Sequence, residues 1–581
     1  MTNTTKPARQ AKATADKPRR TRTPKASATS ETGTTPAQSL LYQENLLRWY
    51  ITTAIPYVNA RPHIGFALEI ILTDAIARWR RLLNNDVRFL TGADENSLKN
   101  VRAAEQEGVP TQQLVDRNAA HFQALREPLN LSFDDFIRTS IDPRHVAGVQ
   151  KLWEACARNG DIYTRSYHGL YCVGCEQFYT EDELVNGLCP EHHTRPEVVE
   201  EENYFFRLSR YGEQLAKLIE SDQLRIIPQT RKNEALAFIR GGLEDFSISR
   251  SQARAHGWGI PVPGDPSQVI YVWYDALGNY ITALGYANDG PLYQRYWVNN
   301  PNRTHVIGKG ILRFHTIYWP AMLLSADVPL PTTVYVHGYV TVEGEKISKT
   351  LGNVIDPVAL VRQYGTDPVR YYLLREIPSS EDGDFALERF IRANNLDLAD
   401  KLGNLLNRTL SMVGRYYGGV APAPGPREPL DDTLIGVAER LPDRVTGAMA
   451  NFAPHEALAS IWELVDAANK YVEDTKPWAL AKLRNTEEGH AAGERLNTVL
   501  YNLLEALRLI SVYLTPFLPE TAEKMNAQLG LAVAPDTAWE ERIRWGGYPA
   551  GTIIKPGAVL FVKRELPTEE ETIQAALATL S

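Results

Sequence analysis

The sequence predicts an α/β protein with a doubly wound domain, an insertion within that domain, and a separate bundle of helices after it. Three observations support this prediction: a strand–helix–strand pattern with glycine turns near the start, a cysteine-containing segment with short aromatic strands, and long amphipathic helices beyond residue 390. A chain of 581 residues has room for three or four domains of about 150 residues each. We therefore expect a multidomain protein rather than a small binding module.

The composition excludes several classes of protein. Hydrophobic residues make up 44% of the chain and charged residues 23%, with 11 Trp and 27 Tyr, so large cores and pockets can form. No apolar run reaches the roughly 18 residues that cross a bilayer, and the N-terminus lacks the apolar region of a signal peptide. We therefore expect a cytoplasmic protein. The net charge of −8 means that a nucleic-acid partner must be bound by local basic patches.

Residues 1–46 differ in composition from the rest of the chain. They are rich in Ala, Thr, Ser, Pro and basic residues and contain few large apolar side chains, which predicts a disordered basic tail. Such a tail could hold RNA loosely, but a solvated extension is the favoured interpretation.

The first half of the doubly wound domain is predicted over residues 47–160. An apolar run over residues 49–55 predicts a strand, and residues 63–82 show helical periodicity with arginines in the last turn. Residues 86–91 predict a second strand, which ends at the glycine turn of Gly92. A strand, a helix and a strand with glycines at the carboxyl ends are typical of a Rossmann-like fold.

The other domain boundaries follow from changes in this pattern. Strand-like residues return at 269–273 and again at 305–308, so the segment between the two halves of the domain is predicted as an insertion. The predicted ranges are an insertion at 161–268, the second half of the Rossmann-like domain at 269–330, a connecting region with a lysine-containing loop at 331–390, an α-helical bundle at 391–550 and a C-terminal extension at 551–581.

Three of the four cysteines cluster and predict a metal site. Two residues separate Cys172 from Cys175, and two residues separate Cys189 from His192, so each pair can hold one edge of a tetrahedral Zn²⁺ ion. His193 adjoins His192 and is the alternative ligand. A site closed by four protein ligands leaves no position for water, so one structural zinc per chain is expected.

Two further segments suggest a phosphate site. His63 and Gly65 lie between the first strand and the first helix, where a histidine and the helix N-terminus can face phosphate oxygens. Lys346 and Lys349 lie three residues apart on a loop between glycines and can neutralise charge on a leaving pyrophosphate. Each segment alone is a weak signal, and the two in this order across an α/β pattern form a much more specific one.

Together these segments resemble the two signatures of class I aminoacyl-tRNA synthetases, and the flanking sequence is similar to the methionyl-tRNA synthetase family in particular. The resemblance covers residues 48–545 and includes the Cys3His cluster. The other matching stretches are residues 53–59, 89–95, 258–265, 272–276, 307–309, 314–322 and 365–370.

The resemblance implies ATP-dependent activation of L-methionine and transfer of the methionyl group to tRNA(Met). It assigns His63, Lys346 and Lys349 to catalysis and Mg²⁺ to the ATP. The implied ATP-binding residues are His63, Gly65, Phe66, Gly308, Lys309, Gly310, His337, Gly338, Lys346 and Lys349. The implied methionine-binding residues are Ile55, Tyr57, Asp94, Trp273, Ala276, Leu277, Tyr280, Phe314, His315 and Trp319, with Asp94 on the substrate ammonium.

The resemblance also gives roles to the helical bundle and to the region before it. Asn404 and Arg408 are four residues apart and share a helix face, and Trp478 follows a proline at a helix start. In the family these positions read the anticodon, and residues 331–390 contact the tRNA stem. The chain ends soon after the bundle, without the additional domain by which some relatives dimerise, so we expect a monomer.

This sequence departs from the family pattern near the expected ATP site. Phe66 replaces the second histidine of the first signature, and Gly310 stands where an acidic residue often contacts the ATP ribose. Asn96 and Ser97 replace the commoner His-Gly pair, and Thr350 replaces a serine. Two rival hypotheses remain: a related synthetase for cysteine, which would hold its substrate thiolate on the zinc, and an inactive homologue that binds RNA.

Overall fold

The computed structural model describes residues 47–174, 176–191, 193–347, 352–484, 489–532 and 537–566. The strands, in chain order, are β1 (Arg48–Thr53), β2 (Asp86–Ala93), β3 (Asp135–Arg138), β4 (Ile162–Cys172), β5 (Gln177–Tyr179), β6 (Glu197–Phe206), β7 (Arg225–Ile227), β8 (Phe246–Ser247), β9 (Ser249–Ser251), β10 (Pro261–Val262), β11 (Asp265–Ile270), β12 (Arg303–Gly308), β13 (Thr333–His337), β14 (Val340–Val342), β15 (Glu345–Lys346) and β16 (Gly383–Phe385).

A six-stranded parallel sheet forms the centre of the first domain, with strand order β3-β2-β1-β12-β13-β7. The α/β prediction is therefore confirmed. The chain runs outward from β1 through β2 to β3, and it later returns to the other side of β1 with β12 and β13. The order thus reverses between β1 and β12, and in open α/β sheets the ligand crevice lies beyond the carboxyl ends of such a strand pair.

The helices cover this sheet, fill the insertion and build the C-terminal domain. In chain order they are α1 (Ile64–Leu82), α2 (Leu98–Glu107), α3 (Thr111–Gln123), α4 (Pro143–Arg158), α5 (Gly212–Glu220), α6 (Gln229–Arg240), α7 (Val272–Leu277), α8 (Asn279–Thr282), α9 (Pro291–Tyr293), α10 (Trp319–Ser325), α11 (Pro357–Tyr364), α12 (Thr366–Arg375), α13 (Leu387–Ala393), α14 (Asn404–Tyr417), α15 (Pro429–Ala450), α16 (Pro454–Thr475), α17 (Pro477–Leu483), α18 (Gly489–Leu514), α19 (Pro519–Gln528) and α20 (Trp539–Arg542). None of these described helices is long and apolar enough to cross a membrane.

The insertion is built mainly on the long antiparallel pair of β4 and β6, which pair from Ile162 with Phe206 to Tyr171 with Glu197. β5 and β8 complete this four-stranded sheet. One strand of this region, β7, leaves the insertion and pairs in parallel with β13 at the edge of the central sheet. Nothing local in the sequence around β7 indicates this long-range pairing.

The strand predicted at residues 269–273 is wrong in its second half. β11 ends at Ile270 and belongs to a small antiparallel sheet with β9 and β10, and the chain then enters α7 at Val272. A short apolar run does not by itself distinguish a strand from a buried helix. Val272, Tyr274, Ala276 and Leu277 are all buried in α7, so the run reflects burial on a helix.

The C-terminal helices pack around a shared core, as the amphipathic pattern predicts. α15 and α16 run side by side, and α18 contributes a nearly continuous buried stretch from Leu496 to Leu514. A π-helical segment, Asn394–Gly403, leads into α14. These helices and α1 of the first domain belong to one continuous apolar core, so the two regions are packed against each other.

One buried arginine connects these regions. Arg370 on α12 is fully buried and forms an ion pair of 2.8 Å with Asp74 on α1. Its guanidinium also donates to the carbonyls of Pro516 and Phe517 after α18 at 3.1 and 2.8 Å, and to the Leu129 carbonyl at 3.1 Å. Arg370 therefore joins α1, which begins at His63, to the helical domain.

We expect the Arg370→Met variant to be less stable by about 3–5 kcal/mol, because Asp74 would remain buried without this partner and three carbonyls would lose a donor. The measurement is the midpoint of urea unfolding, with Arg392→Met as a control that removes an exposed arginine from neighbouring α13. Equal midpoints for the two variants would contradict the role assigned to Arg370.

Candidate active site

A cleft of about 430 Å³ opens beyond the carboxyl ends of β1 and β12. Tyr57, Trp273 and Phe314 line one part of it, and Lys309 and Tyr339 line another. Its outer wall comes from the cysteine-containing insertion, through residues 174, 179, 183, 190 and 191. The cleft therefore lies where the sheet topology locates a ligand site.

His63 stands at the start of α1 in one fixed tautomer. It is the N-cap residue, and its Nδ1 accepts the backbone N–H of Gly65 at 3.0 Å. Burial lowers the pKa of His63, so the ring is neutral at pH 7 and its proton lies on Nε2. The Nε2–H group is then a donor at the positive end of the helix dipole, a suitable arrangement for a phosphate oxygen.

Gly65 is required for this arrangement. A β-carbon at this position would lie 2.8 Å from Cε1 of His63 and 3.0 Å from its Nδ1, so it would displace the capping ring. Phe66, the next residue, packs edge-to-face on Phe122 with 5.0 Å between ring centroids. Its aromatic side chain supplies no polar group to the phosphate site.

Asp94 is the buried acidic group of the site. It is 2% exposed, and its Oδ1 has no hydrogen-bond partner among the described residues. Burial, followed by the negative charges of Asp275, Glu176 and Glu95, raises the pKa of Asp94 well above its usual range. A carboxylate in this environment lacks a cation, so the site suits a ligand that carries a positive charge.

The loop that carries Asp94 is held by two residues that depart from the family pattern. The Asn96 side-chain amide donates to Asp275 Oδ2 on α7 at 2.7 Å. Ser97 caps α2 by accepting the Lys99 backbone N–H at 3.0 Å, and its hydroxyl also donates to Glu176 in the insertion. Asn96 and Ser97 thus fix the loop to the second half of the domain and to the insertion.

Aromatic rings form one wall of the cleft. Trp273 stacks on Phe314 with centroids 3.8 Å apart and planes within 6°, and it meets Tyr57 edge-to-face at 6.4 Å. The Tyr57 hydroxyl and the Trp273 Nε1 have no hydrogen-bond partner among the described residues. Ala276 and Leu277 are buried on the same helix as Trp273, and Ile55 is half-buried against Gly92.

Behind this wall lies a chain of buried hydrogen bonds with fixed proton positions. His315 donates from Nδ1 to the Ile311 carbonyl at 2.9 Å, so its Nε2 accepts the Tyr280 hydroxyl at 2.7 Å. Burial lowers the pKa of His315 to about 4, which keeps the ring neutral. The Tyr280 and His315 rings are thereby fixed in orientation beside Trp273.

The same network includes a histidine that the sequence reasoning missed. His305 on β12 is fully buried, accepts the Trp319 indole N–H at 3.2 Å, and donates to Thr52 on β1 at 2.9 Å. Its position on a strand facing an aromatic cluster is not distinguishable in sequence from an ordinary core residue. Ile311 was also missed, although it lines the cleft beside Phe314.

The ATP-binding residues predicted near the carboxyl ends of β12 and β13 lie together, namely Gly308, Lys309, Gly310, His337 and Gly338. Lys309 forms a 2.6 Å ion pair with Asp382, and the Asp382 carboxylate also accepts the Tyr339 backbone N–H at 2.9 Å. A β-carbon at Gly338 would lie 2.0 Å from the Glu381 carbonyl oxygen, so only glycine fits there. Gly308 and Gly310 both lie under the Tyr339 ring.

His337 joins this corner to α1. Its Nε2 lies 2.9 Å from Glu69 Oε2, and its Nδ1 lies 2.7 Å from the Gly338 carbonyl. The other carboxylate oxygen of Glu69 accepts the Ala54 backbone N–H at 2.9 Å. The Glu69 carboxylate therefore connects the ends of β1 and β13 by hydrogen bonds. The sequence reasoning missed this role.

The lysine loop is only partly described. Lys349 lies outside the described residues, and for Lys346 only the backbone is described, in β15. Ile347, between them, lies beside the start of α1: its Cδ1 is 3.8 Å from the position of a β-carbon at Gly65. The Ile347 side chain thus lies at the same helix terminus that presents His63.

Two of the four predicted metal ligands are described. Cys172 and Cys189 are both buried, in a small cluster with Tyr179 and Leu184. Cys175 and His192 lie outside the described residues, and no group of three metal-ligating side chains occurs among the residues that are described. His193 is exposed. Cys156, in contrast, is buried on α4 away from this cluster, and burial raises the pKa of its thiol to about 11.

The helical domain brings its three predicted residues to one surface. The Arg408 guanidinium lies 5.9 Å from the ring centroid of Trp478, and Arg408 also pairs with Glu473 at 2.8 Å. Trp478 is 37% exposed, which is unusual for so large an apolar ring. Asn404 is exposed one turn before Arg408 on α14.

Two family profiles together match most of the chain. Residues 49–197 and 192–410 match "tRNA synthetases class I (M)", and residues 422–576 match "Anticodon binding domain of methionyl tRNA ligase". The chain is 47% identical to a methionine–tRNA ligase of Clostridium perfringens over 91% of this chain and 80% of that protein. It is 46% identical to a methionine–tRNA ligase of Mycobacterium leprae over 83% of this chain and 89% of that one.

Solved structures give the same result. A methionyl-tRNA synthetase of Mycobacterium tuberculosis in complex with methionyl-adenylate superposes with a TM-score of 0.83 at 43% identity, covering 88% of this chain and 99% of that one. The apo form of the Mycobacterium tuberculosis protein gives a TM-score of 0.78 at 41% identity, covering 90% and 99%.

Proposed function

The chain belongs to the methionyl-tRNA synthetases of class I, and from this premise we propose which residues bind ATP, methionine, zinc and tRNA. The protein activates L-methionine with ATP to methionyl-adenylate and transfers the methionyl group to tRNA. The observation that best supports an active site of this kind is the buried Asp94, whose Oδ1 has no partner among the described residues and whose backbone pairs with that of Tyr57 in the aromatic wall.

In the first step the methionine carboxylate attacks the α-phosphorus of ATP, and the bond to the pyrophosphate breaks. The protein supplies no nucleophile, so its contribution is positioning and neutralisation of charge. We assign the phosphate contact to the Nε2–H of His63 at the start of α1, and the stabilisation of the leaving pyrophosphate to Lys346 and Lys349. Mg²⁺ bound with ATP would add positive charge to the phosphates.

For methionine recognition we assign the substrate ammonium to Asp94. An ammonium beside this carboxylate would form a charge-assisted hydrogen bond and relieve the repulsion from Asp275 and Glu176. We assign the thioether to the rings of Trp273 and Phe314, because sulfur packs favourably against aromatic faces and edges. The neutral Tyr280–His315 pair behind them fixes the shape of this wall.

In the insertion, we propose one structural zinc on Cys172, Cys175, Cys189 and His192. The two described thiols fit this role, since both are buried in one small cluster near the cleft wall. When bound, the zinc would hold the insertion loop closed. The cysteine-specific rival hypothesis does not fit this arrangement, because aromatic side chains line the cleft and the cysteines lie in the insertion.

For tRNA recognition we assign the anticodon to Asn404, Arg408 and Trp478. An exposed indole beside a guanidinium offers a stacking surface for an unpaired base, and the two polar side chains can hydrogen-bond base edges. We also propose the domain ranges given above and a cytoplasmic monomer.

We expect the Asp94→Asn variant to raise the KM for methionine by about 10- to 100-fold, because the amide cannot form an ion pair with the ammonium. The same change removes a buried charge from an acidic cluster, so the variant should be at least as stable as the wild type. ATP–pyrophosphate exchange and urea unfolding measure these two effects.

Asp327→Asn is the matched control for Asp94→Asn, since it removes an exposed carboxylate at a left-handed position that asparagine tolerates well. An unchanged KM for methionine in Asp94→Asn would remove Asp94 from the site. Absence of methionine-dependent exchange in the wild-type protein would instead favour the inactive RNA-binding homologue.

Trp478→Ala should lower kcat/KM for tRNA about 5- to 100-fold, the loss expected for one base–aromatic stack, and leave methionine activation unchanged. Aminoacylation and pyrophosphate exchange, measured on the same preparation, separate the two. Leu430→Ala removes another exposed apolar side chain of the helical domain and serves as the control. A parallel loss in both assays would contradict an anticodon role.

Elemental analysis of the purified protein should find about one zinc per chain. We expect Cys172→Ser and Cys189→Ser to lose most of this zinc because each removes a thiolate ligand. Cys156→Ser is the internal control, since Cys156 is equally buried but lies on α4 outside the cluster. Zinc retained in Cys189→Ser, or lost in Cys156→Ser, would show that the ligand set is wrong.

A further inference from the structure

Tyr339 occupies the space above Gly310 at the corner of the cleft formed by β12 and β13. A β-carbon built on Gly310 would lie 1.9 Å from the Tyr339 hydroxyl oxygen and 3.3 Å from Cζ of the ring. Any side chain at position 310 and the observed position of this hydroxyl therefore exclude each other. The glycine at position 310 is what allows Tyr339 to reach this point.

Three contacts hold Tyr339 in place. Its backbone N–H donates to the Asp382 carboxylate at 2.9 Å, the Lys309 ammonium lies 4.7 Å from the ring centroid, and the hydroxyl faces the backbone of Gly310. Burial, together with the negative charge of Glu191, raises the pKa of Tyr339 to about 12, so the hydroxyl keeps its proton. The side chain is nonetheless 37% exposed and lines the cleft.

The charge at this corner is already balanced. Lys309 pairs with Asp382 at 2.6 Å, and Gly310 contributes no side chain, so Tyr339 presents a neutral hydroxyl to the cleft. Sugar hydroxyls pair well with such a group, whereas a phosphate would require an uncompensated cation. The phosphate-binding features, His63 and the N-terminus of α1, lie at the end of the neighbouring strand β1.

We propose that Tyr339 is a nucleotide-binding residue of this chain, whose hydroxyl occupies the space that Gly310 leaves open and hydrogen-bonds a ribose hydroxyl in the cleft. The inference rests on the proposed function, since it needs a nucleoside in the cleft. Two substrates of the reaction carry that chemistry, namely ATP and the terminal adenosine of tRNA. Removal of the Tyr339 hydroxyl distinguishes the two: it slows methionine activation if the ribose belongs to ATP, and it slows only the transfer step if the ribose belongs to tRNA.

The test compares the wild type with Tyr339→Phe in ATP–pyrophosphate exchange, using ATP, 2′-deoxy-ATP and 3′-deoxy-ATP with saturating methionine. We expect Tyr339→Phe to lower kcat/KM for ATP by about 2- to 10-fold, as for one neutral hydrogen bond. The KM for methionine should stay unchanged. With the deoxy analogue that lacks the partner hydroxyl, wild type and variant should be equal, because the hydrogen bond is then absent in both.

A second arm measures transfer from preformed methionyl-adenylate to tRNA. A loss confined to this step would assign the hydroxyl to the terminal adenosine of tRNA and would still support the ribose contact. Equal rates for wild type and variant in both steps would overturn the inference. So would a loss of the same size with ATP and with both deoxy analogues, which would indicate a structural role. Methionine-dependent exchange by the wild type tests the proposed function separately.

The Gly310 contact gives an independent check on the geometry. In the wild-type background Gly310→Ala should displace the hydroxyl and reproduce the loss seen in Tyr339→Phe. In the Tyr339→Phe background the nearest ring atom is 3.3 Å from the new methyl group, so Gly310→Ala should add little. Additive losses in the double variant would contradict the exclusion described above. Tyr163→Phe, which removes a hydroxyl bonded to Asp245 in the insertion, is the control.

Discussion

The buried ion pair between Asp74 and Arg370 is the interaction on which the arrangement of the active site and the helical domain depends. Two charges without water are costly, and here each is satisfied on every side: Asp74 also binds Arg78 and Ser132, and Arg370 binds carbonyls on both sides of the domain junction. Because Asp74 lies in the middle of α1, the helix that presents His63 has its position fixed by the helical domain. The proposed phosphate site and the helical domain therefore share one buried ion pair.

The described part of the proposed active site contains a buried carboxylate without a hydrogen-bond partner on one oxygen, and buried histidines that stay uncharged. We assign none of these groups the role of a nucleophile. Asp94 is kept buried with an open oxygen, and the histidines behind the aromatic wall are held neutral with their protons assigned by backbone and hydroxyl partners. Such groups cost stability in the empty protein and cost little further reorganisation when substrate binds. This matches a reaction in which the protein positions two substrates and supplies no nucleophile.

Local patterns in the sequence were sufficient for the sheet opening, helix α1 and the bundle. The family resemblance supplied part of the cleft lining, namely Tyr57, Trp273, Lys309, Gly310 and Phe314. The phosphate signature could be predicted because glycine and histidine at a helix start have a local reason, the capping of α1 by His63. Contacts between distant segments could not be predicted in this way. Three such contacts involve residues that have no regular spacing in the sequence. They are the pairing of β7 with β13, the hydrogen bond between Glu69 and His337, and the close approach of Tyr339 to Gly310.

The residues that depart from the family pattern pack against or hydrogen-bond to their neighbours in the fold. Phe66 offers no imidazole, but its ring fills the space beside Phe122 and leaves α1 undisturbed. Asn96 and Ser97 hold the Asp94 loop through Asp275 and Glu176. Without a second signature histidine, the capping of α1 leaves His63 as the described imidazole donor at this helix terminus. The change at Phe66 therefore bears on the proposed phosphate contacts, and it leaves unchanged the aromatic wall and Asp94, to which we assign methionine recognition.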